Sequence, residues 1–283
     1  MSVQLYKTLL LLLAASIALT GCKTEAKKGR KNDVQLASIQ KEESYHLLED
    51  SDNPKCELQL SFTCPEEYAD MEILGKIQKL FILSYFGETY DTYSPQEAVN
   101  KYVENYLQMY RELEADYKQD LKNADTATVE SWYAYYEMSS NEITFNADNL
   151  LSYTVSFENY TGGAHPSHTV SNHVIDLTKG EFIREADIFM DGYEAPLSRL
   201  LVEAIAGEND LEDVKELENI GFFSIDEIYP NDNFSIDETG ITYMFNEYEI
   251  AAYAVGITSV HFPFEKIKHL LRPESPVAIL FND

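Results

Sequence analysis

The sequence predicts an α+β fold, in which an antiparallel sheet packs with several helices and two halves of the chain associate intimately. Apolar residues recur every three to four positions in 66–86 and 94–121, which is the period of amphipathic helices. Between 129 and 176 the period changes to two, which is typical of half-buried strands. Because helical and strand patterns come in blocks, the sequence favours α+β over a parallel α/β sheet.

The first 21 residues have the layout of a secretory signal peptide. Lys7 is their only charged residue, an apolar run follows it, and Leu19-Thr20-Gly21-Cys22 resembles a bacterial lipobox. The resemblance implies that Cys22 becomes the first mature residue and carries lipid. A transmembrane helix is the alternative, but the apolar run is about a dozen residues long and a bilayer needs roughly 20. We therefore expect an extracytoplasmic lipoprotein.

The residue after the lipobox bears on localisation. Lys23, rather than aspartate, follows the cysteine, and it gives no reason for retention at the inner membrane. We therefore expect the outer membrane in a two-membrane bacterium, with the leaflet left open.

The mature chain is predicted to begin with a tether. Residues 22–52 start with basic side chains and continue with polar residues that show no sustained period, so we expect a flexible segment. The folded part is predicted as an N-terminal half, 53–160, and a C-terminal half, 161–271. Residues 272–283 are predicted to form a tail.

Two cysteines follow the tether. Cys56 and Cys64 flank an alternating polar and apolar segment, which predicts a strand. A straight strand separates the two residues by about 26 Å, whereas a disulfide needs Cα atoms roughly 4.4–6.8 Å apart. A bridge would need a broken strand, so we expect two free thiols.

Local signals place the next elements. Gly87 is expected to end the first helix, and Ser94-Pro95-Gln96-Glu97 is a capping box that begins the second. The tyrosines along the second helix are interpreted as packing residues. The predicted strands of the N-terminal half are 132–136, 142–145 and 151–157, separated by turns at 139–141 and 147–149.

The C-terminal half mixes helical and strand signals. Helical spacing returns in 194–206, which ends at a glycine, and Pro273 stops the last helix. The remaining predicted elements are helices at 211–220 and 264–271 and strands around Ile236, at 241–245 and at 256–262.

The chain is strongly acidic, with 49 Asp and Glu against 21 Lys and Arg and a formal charge of −28. Removal of a leader that contains Lys7 would leave −29. Such a charge disfavours nucleic acid and anionic lipid as partners and attracts cations. Solubility alone is the other explanation.

Three histidines raise the question of a metal site. His165 and His168 are three positions apart, and residues three apart on a strand face opposite sides. They could share a metal only if 162–166 folds back as a loop, with His173 and Asp176 nearby. We expect no metal and no cofactor.

Two segments carry a family resemblance. The first is Tyr160-Thr161-Gly162-Gly163-Ala164-His165-Pro166, and the second runs from Asn233 to Gly256 and continues through Val260-His261-Phe262-Pro263-Phe264 to Leu271. Together they resemble the extracytoplasmic domain shared by the lysozyme-sensing anti-sigma-V factor and the non-catalytic half of a peptidoglycan deacetylase. The resemblance covers residues 55–271 and implies an upstream domain of unknown function followed by a second one.

The sequence departs from this family in two respects. Ala252 stands where the family usually has proline, which leaves the turn before Tyr253 less rigid by about 0.4–1 kcal/mol. The deacetylase's catalytic domain and the anti-sigma factor's cytoplasmic and transmembrane segments have no counterpart in the sequence. We therefore expect the shared domain and neither parent activity.

The resemblance suggests a binding module that captures a cationic wall-active protein such as lysozyme, or peptidoglycan. The candidate ligand-binding residues are Thr161, Gly162, Gly163, His165, Tyr248, Glu249 and Tyr253. In the first alternative, these residues only maintain the fold of a structural envelope lipoprotein, with Glu249 capping backbone amides. In the second, the protein is a glycan hydrolase or deacetylase with Glu249 or His165 as acid–base.

Overall fold

The computed structural model describes residues 29–282, and it confirms the α+β class. The signal peptide and Cys22 lie outside this range. The strands are β1 (Gln35–His46), β2 (Lys55–Glu67), β3 (Tyr135–Ala147), β4 (Leu150–Tyr160), β5 (Ser167–Asp176), β6 (Glu181–Phe182), β7 (Phe234–Ile236), β8 (Gly240–Phe245) and β9 (Thr258–Pro263). The helices are α1 (Met71–Phe86), α2 (Pro95–Arg111), α3 (Glu114–Asp120), α4 (Thr126–Trp132), α5 (Glu185–Ile188), α6 (Glu194–Glu208) and α7 (Phe264–Ile267).

The strands form two sheets. The larger has six strands in the order β1 to β6, and the smaller has three in the order β7-β8-β9. Neighbouring strands are antiparallel except β2 and β3, which are parallel. A parallel pair needs a long crossover connection, and helices α1 to α4 supply it.

The segment predicted as a tether is in part a strand, which corrects that prediction. Within 22–52, β1 pairs with the whole of β2, from Gln35 opposite Glu67 to His46 opposite Lys55. Its side chains are half-buried or exposed, so the strand is held mainly by its backbone ladder. Without a buried apolar face it has little alternation for sequence analysis to detect.

Helices α1 and α2 cover one face of the large sheet. Phe81 of α1 stacks on Tyr153 of β4 with ring centroids 4.0 Å apart, and Phe62 of β2 meets Tyr85 edge-on. The capping box at Ser94 begins α2 as predicted, and Gly87, with φ of 90°, ends α1. The interpretation of the helical tyrosines as packing residues agrees with the burial of Tyr110 and Tyr117.

The predicted turn at 139–141 is wrong, because β3 runs through these residues without a break. The side chains of Ser139 and Asn141 have partners far away in the sequence. Tyr85 donates to the Ser139 hydroxyl at 3.0 Å. The Asn141 amide group accepts from the Thr63 N–H and donates to the Thr63 carbonyl, both at 2.7 Å.

Two other predicted elements also differ from the structure. Trp132 ends helix α4 instead of beginning a strand, and the helix predicted over 94–121 is divided into α2 and α3. None of the helices within 29–282 is long and apolar enough to cross a membrane.

The C-terminal half packs on the other face of the large sheet, where it covers one end. A β-bulge between Ile143 and Phe145 changes which β3 side chains face this way. Phe145, Leu150 and Val174 thereby join the core of the small sheet and α6. The two halves therefore share a core.

The predicted boundaries of the C-terminal half fall inside packed structure. The boundary between 160 and 161 separates β4 from β5, which are neighbours in one sheet. In the predicted tail, Val277 is fully buried in the same core, and Arg272 donates from Nε to the Phe189 carbonyl at 2.6 Å. The tail is therefore part of the folded unit.

Cys56 and Cys64 are free and buried along the continuous strand β2, which confirms the prediction of two free thiols. Burial raises the pKa of each thiol to about 11. Neither side chain is a nucleophile at neutral pH, since the reactive form is the thiolate.

Side chains of the C-terminal half complete the free edge of β5. Asn246 accepts from the Val170 N–H at 2.7 Å and donates to the Val170 carbonyl at 3.0 Å. Asn233 accepts from the Asn172 N–H at 2.8 Å and also donates to Val170. These amide groups take the place of a neighbouring strand and connect the small sheet to the large one.

We predict that Asn246→Ala lowers the free energy of unfolding by about 1–3 kcal/mol, because the Val170 N–H loses its acceptor. Urea denaturation measures the effect. Asn100→Ala, at an exposed position of α2, is the matched control and should change stability by less than about 0.5 kcal/mol. Equal effects of the two substitutions would contradict the edge-capping role.

Candidate functional site

The uncovered part of the large sheet forms a trough of about 560 Å³. Its floor crosses β1 to β5 and uses the side chains that alternate with those buried under α1 and α2. Ile257, from the segment before β9, contributes to its wall. Ligand sites usually measure roughly 300–1,000 Å³, so the trough is large enough for a ligand.

An aromatic–histidine cluster, formed by His165, His168, Tyr248 and Tyr253, lies next to the trough. The His165 ring stacks on Tyr253 with centroids 3.7 Å apart, and the Tyr248 hydroxyl lies 3.2 Å from His165 Nε2. His168 lies farther from Tyr253, at 6.4 Å between centroids. The structure therefore brings together three residues that the sequence predicted for the site, namely His165, Tyr248 and Tyr253.

The glycines of the first motif shape the loop that carries His165. Gly162 and Gly163 have φ of 83° and 118°, which favours glycine. A Cβ at Gly162 would stand 2.7 Å from the Trp132 carbonyl oxygen, so the loop can approach α4 only with glycine there. The Tyr160 hydroxyl donates to the Gly163 carbonyl at 2.9 Å and holds the loop. Thr161 is exposed beside it.

Tyr248 has a strained backbone and an exposed ring. Its φ is 63°, which is unusual for a bulky residue, and its side chain is 58% exposed. Such strain persists only where neighbouring structure imposes it, and it concentrates at functional sites. The conformation directs the ring to the surface beside His165.

Glu249 holds this turn and does not join the cluster. Its carboxylate accepts from the Asn246 N–H at 2.8 Å and from Asn231 Nδ2 at 2.6 Å. Both oxygens are engaged within the C-terminal half, which is the capping role given by the structural alternative. We assign Glu249 a structural role.

Sequence reasoning missed three residues that connect the cluster to the trough, Tyr136, Glu158 and Glu247. His168 Nδ1 lies 2.9 Å from Glu247 and its Nε2 lies 3.9 Å from Glu158. Tyr136 donates to Glu158 at 2.8 Å, and this hydrogen bond raises the pKa of the phenol. The alternation of β3, β4 and β5 was the available signal, since it places Tyr136, Glu158 and His168 on one face.

The three histidines considered as metal ligands, His165, His168 and His173, do not converge on one point. The loop at 162–166 does fold back, but the Tyr253 ring is the common neighbour of His165 and His168. His173 lies on the other face of β5, against Tyr153 and Phe182. Among residues 29–282, no group of three or more His, Cys, Asp or Glu is placed to hold a metal ion. The cluster offers aromatic faces and hydrogen-bonding groups, which suit binding.

Two protein families match parts of the chain. Residues 186–265 match the family described as "Protein of unknown function (DUF3298)", and residues 67–168 match the family described as "Deacetylase PdaC". A search of curated proteins gives no match.

Two solved structures are similar. A DUF3298 family member from Bacteroides fragilis NCTC 9343 is 30% identical, with a TM-score of 0.83, over 90% of this chain and 100% of that one. A DUF3298 family protein from Pseudomonas aeruginosa PAO1 is 13% identical, with a TM-score of 0.56, over 85% and 96% of the two chains. The second similarity concerns the fold alone.

Burial of His173 predicts a pH-dependent stability. Desolvation lowers its pKa to about 4, below the ordinary value near 6.5. Over this pH range His173 is therefore protonated in the unfolded chain and neutral in the native chain. The free energy of unfolding falls as the pH drops from about 6.5 to 4. Relative to wild type, His173→Gln should reduce this loss by about 2 kcal/mol in urea titrations.

His269→Gln, at an exposed position, is the matched control for that comparison. The interpretation fails if the wild type and His173→Gln lose the same stability over this pH range.

Proposed function

The chain belongs to the DUF3298 family, and from this we propose that it is a lipid-anchored binding module of the cell envelope. Its partner would be a cationic wall-active protein such as lysozyme, with peptidoglycan as the alternative. The observation that carries the proposal is the exposed ring of Tyr248, held by a strained backbone beside His165.

The chemistry of the cluster supports binding. Exposed tyrosines supply large contact areas at a low entropic cost, and their hydroxyls accept or donate hydrogen bonds. A purely structural cluster would bury these rings, whereas Tyr248 and His165 are exposed.

The charge of the chain supports a cationic partner. A formal charge of −28 creates a field that raises association rates with basic proteins by about 10–10³-fold. Such attraction weakens with salt, because the Debye length is only about 8 Å at physiological ionic strength. Carboxylates at Glu158 and Glu247 place part of this charge beside the cluster.

We predict that the mature protein binds hen lysozyme, more tightly at low salt than at 0.15 M, and that Tyr248→Asn weakens binding at least tenfold, or about 1.4 kcal/mol. Asparagine tolerates the positive φ, so the substitution removes the ring and keeps the backbone. Calorimetric titration measures the affinity.

Tyr229→Asn is the matched control, because Tyr229 is 59% exposed and lies outside the cluster. Cytochrome c controls for charge alone. Absence of binding at both salt concentrations, equal binding of cytochrome c, or equal effects of the two tyrosine substitutions would exclude lysozyme capture at this cluster. A pull-down with insoluble peptidoglycan tests the alternative partner with the same variants.

The lipid anchor predicts a separate result. Cys22→Ala should release the protein from the membrane fraction and leave its thermal unfolding unchanged, because the substitution removes the acylated side chain and the core lies within 29–282. Fractionation followed by immunoblotting measures the release. Retention of the variant on membranes after a high-salt wash would show that the lipid is not the anchor.

A further inference from the structure

Three serines form a row across the floor of the trough. Ser61 of β2 lies opposite Ser140 of β3, and Ser140 lies opposite Ser156 of β4. Gln40 and Val170 continue the row on β1 and β5. Since neighbouring strands are about 4.8 Å apart, the row spans about 19 Å perpendicular to the strands.

Side-chain size explains why the row is a depression. The next row contains the longer side chains of Gln59, Met138 and Glu158, which face one another on β2, β3 and β4. Small residues on three adjacent strands therefore lie beside a wall of larger ones. Further along the strands, Tyr136 and Tyr160 lie opposite each other, with ring centroids 6.1 Å apart.

The polar groups of the trough are available to a ligand. Within 29–282, the side chains of Gln59, Ser140 and Ser156 have no hydrogen-bond partner. Serine hydroxyls and amides both donate and accept hydrogen bonds. Ile257 adds apolar lining.

We propose that the trough binds a neutral saccharide chain, lying across the strands along the serine row. Hydroxyls and amides of the trough match the hydroxyls of a sugar, because both donate and accept hydrogen bonds. The trough adjoins the aromatic–histidine cluster and shares His168 with it, but the inference does not rest on capture of a cationic protein.

Charge favours a neutral occupant over a basic peptide. The serine row and its ends at Gln40 and Val170 carry no charge, and the carboxylates of the trough, Glu42 and Glu158, lie in the adjacent row. A site for a basic segment would place carboxylates along its floor, because an unpaired charge next to neutral groups loses solvation without compensation. The acidic field outside the trough repels anionic sugars.

The experiment is a titration of the mature protein with chitotetraose, cellotetraose and maltotetraose, followed by NMR and calorimetry. We expect at least one of these oligosaccharides to bind and to shift the signals of β2, β3 and β4. Ser140→Leu, which fills the centre of the row, should weaken binding at least tenfold. Ser259→Leu, at an exposed position of β9 that does not line the trough, should change it less than twofold.

A second variant covers the case in which Ser140→Leu does not fold. Gln59→Ala shortens an exposed side chain of the trough wall and should weaken binding at least threefold. Absence of binding by all three oligosaccharides at millimolar concentration would overturn the proposal, as would unchanged binding in these variants. It would equally be overturned if tetralysine, and no saccharide, bound in a Ser140-dependent manner.

The two sites can be separated by the same variants. Tyr248→Asn should weaken lysozyme binding and retain the oligosaccharide, whereas Ser140→Leu should do the reverse. Loss of saccharide binding alone would overturn the assignment of the trough and leave the lysozyme proposal standing.

Discussion

The architecture depends on asparagine amide groups that take the place of backbone partners at strand edges. Asn246 and Asn233 supply donors and acceptors to the edge of β5, and Asn141 does the same for Thr63 beyond the end of the β2–β3 ladder. An amide side chain presents the same two groups as a peptide unit, so it can end a ladder without a further strand. The small sheet is thereby fixed against the large one, and the uncovered end of the face becomes the trough.

This constraint also explains the position of the aromatic–histidine cluster. Asn246 is bound to Val170, and Glu249 holds the Asn246 N–H, so the intervening Tyr248 is forced into its positive φ. Glu247 meets His168 from the same turn. This short segment therefore helps to join the small sheet to the large one, and the backbone strain within it orients the exposed ring.

Local elements could be predicted from the sequence, and elements that depend on distant partners could not. The capping box at Ser94 and the turn at Asp148-Asn149 follow from residues within a few positions. The sequence did not predict strand β1, because the strand is held by its backbone hydrogen bonds to β2 and has no buried apolar face. Sequence analysis predicted the loop glycines, His165, Tyr248 and Tyr253 as site residues. It could not predict the contact between Glu247 and His168, because that contact depends on how the small sheet meets the edge of β5.

The parallel pairing of β2 with β3 has a consequence for folding kinetics. Cys56 lies opposite Tyr135, so the centre of the sheet joins residues about 80 positions apart, whereas β1–β2 and β3–β4–β5 close through short connections. Pairing of β2 with β3 therefore has to bring two separately closed sheet fragments together across the helical crossover. Until that step each fragment exposes an unpaired strand edge, and in this interval newly synthesised chains are most prone to associate with one another.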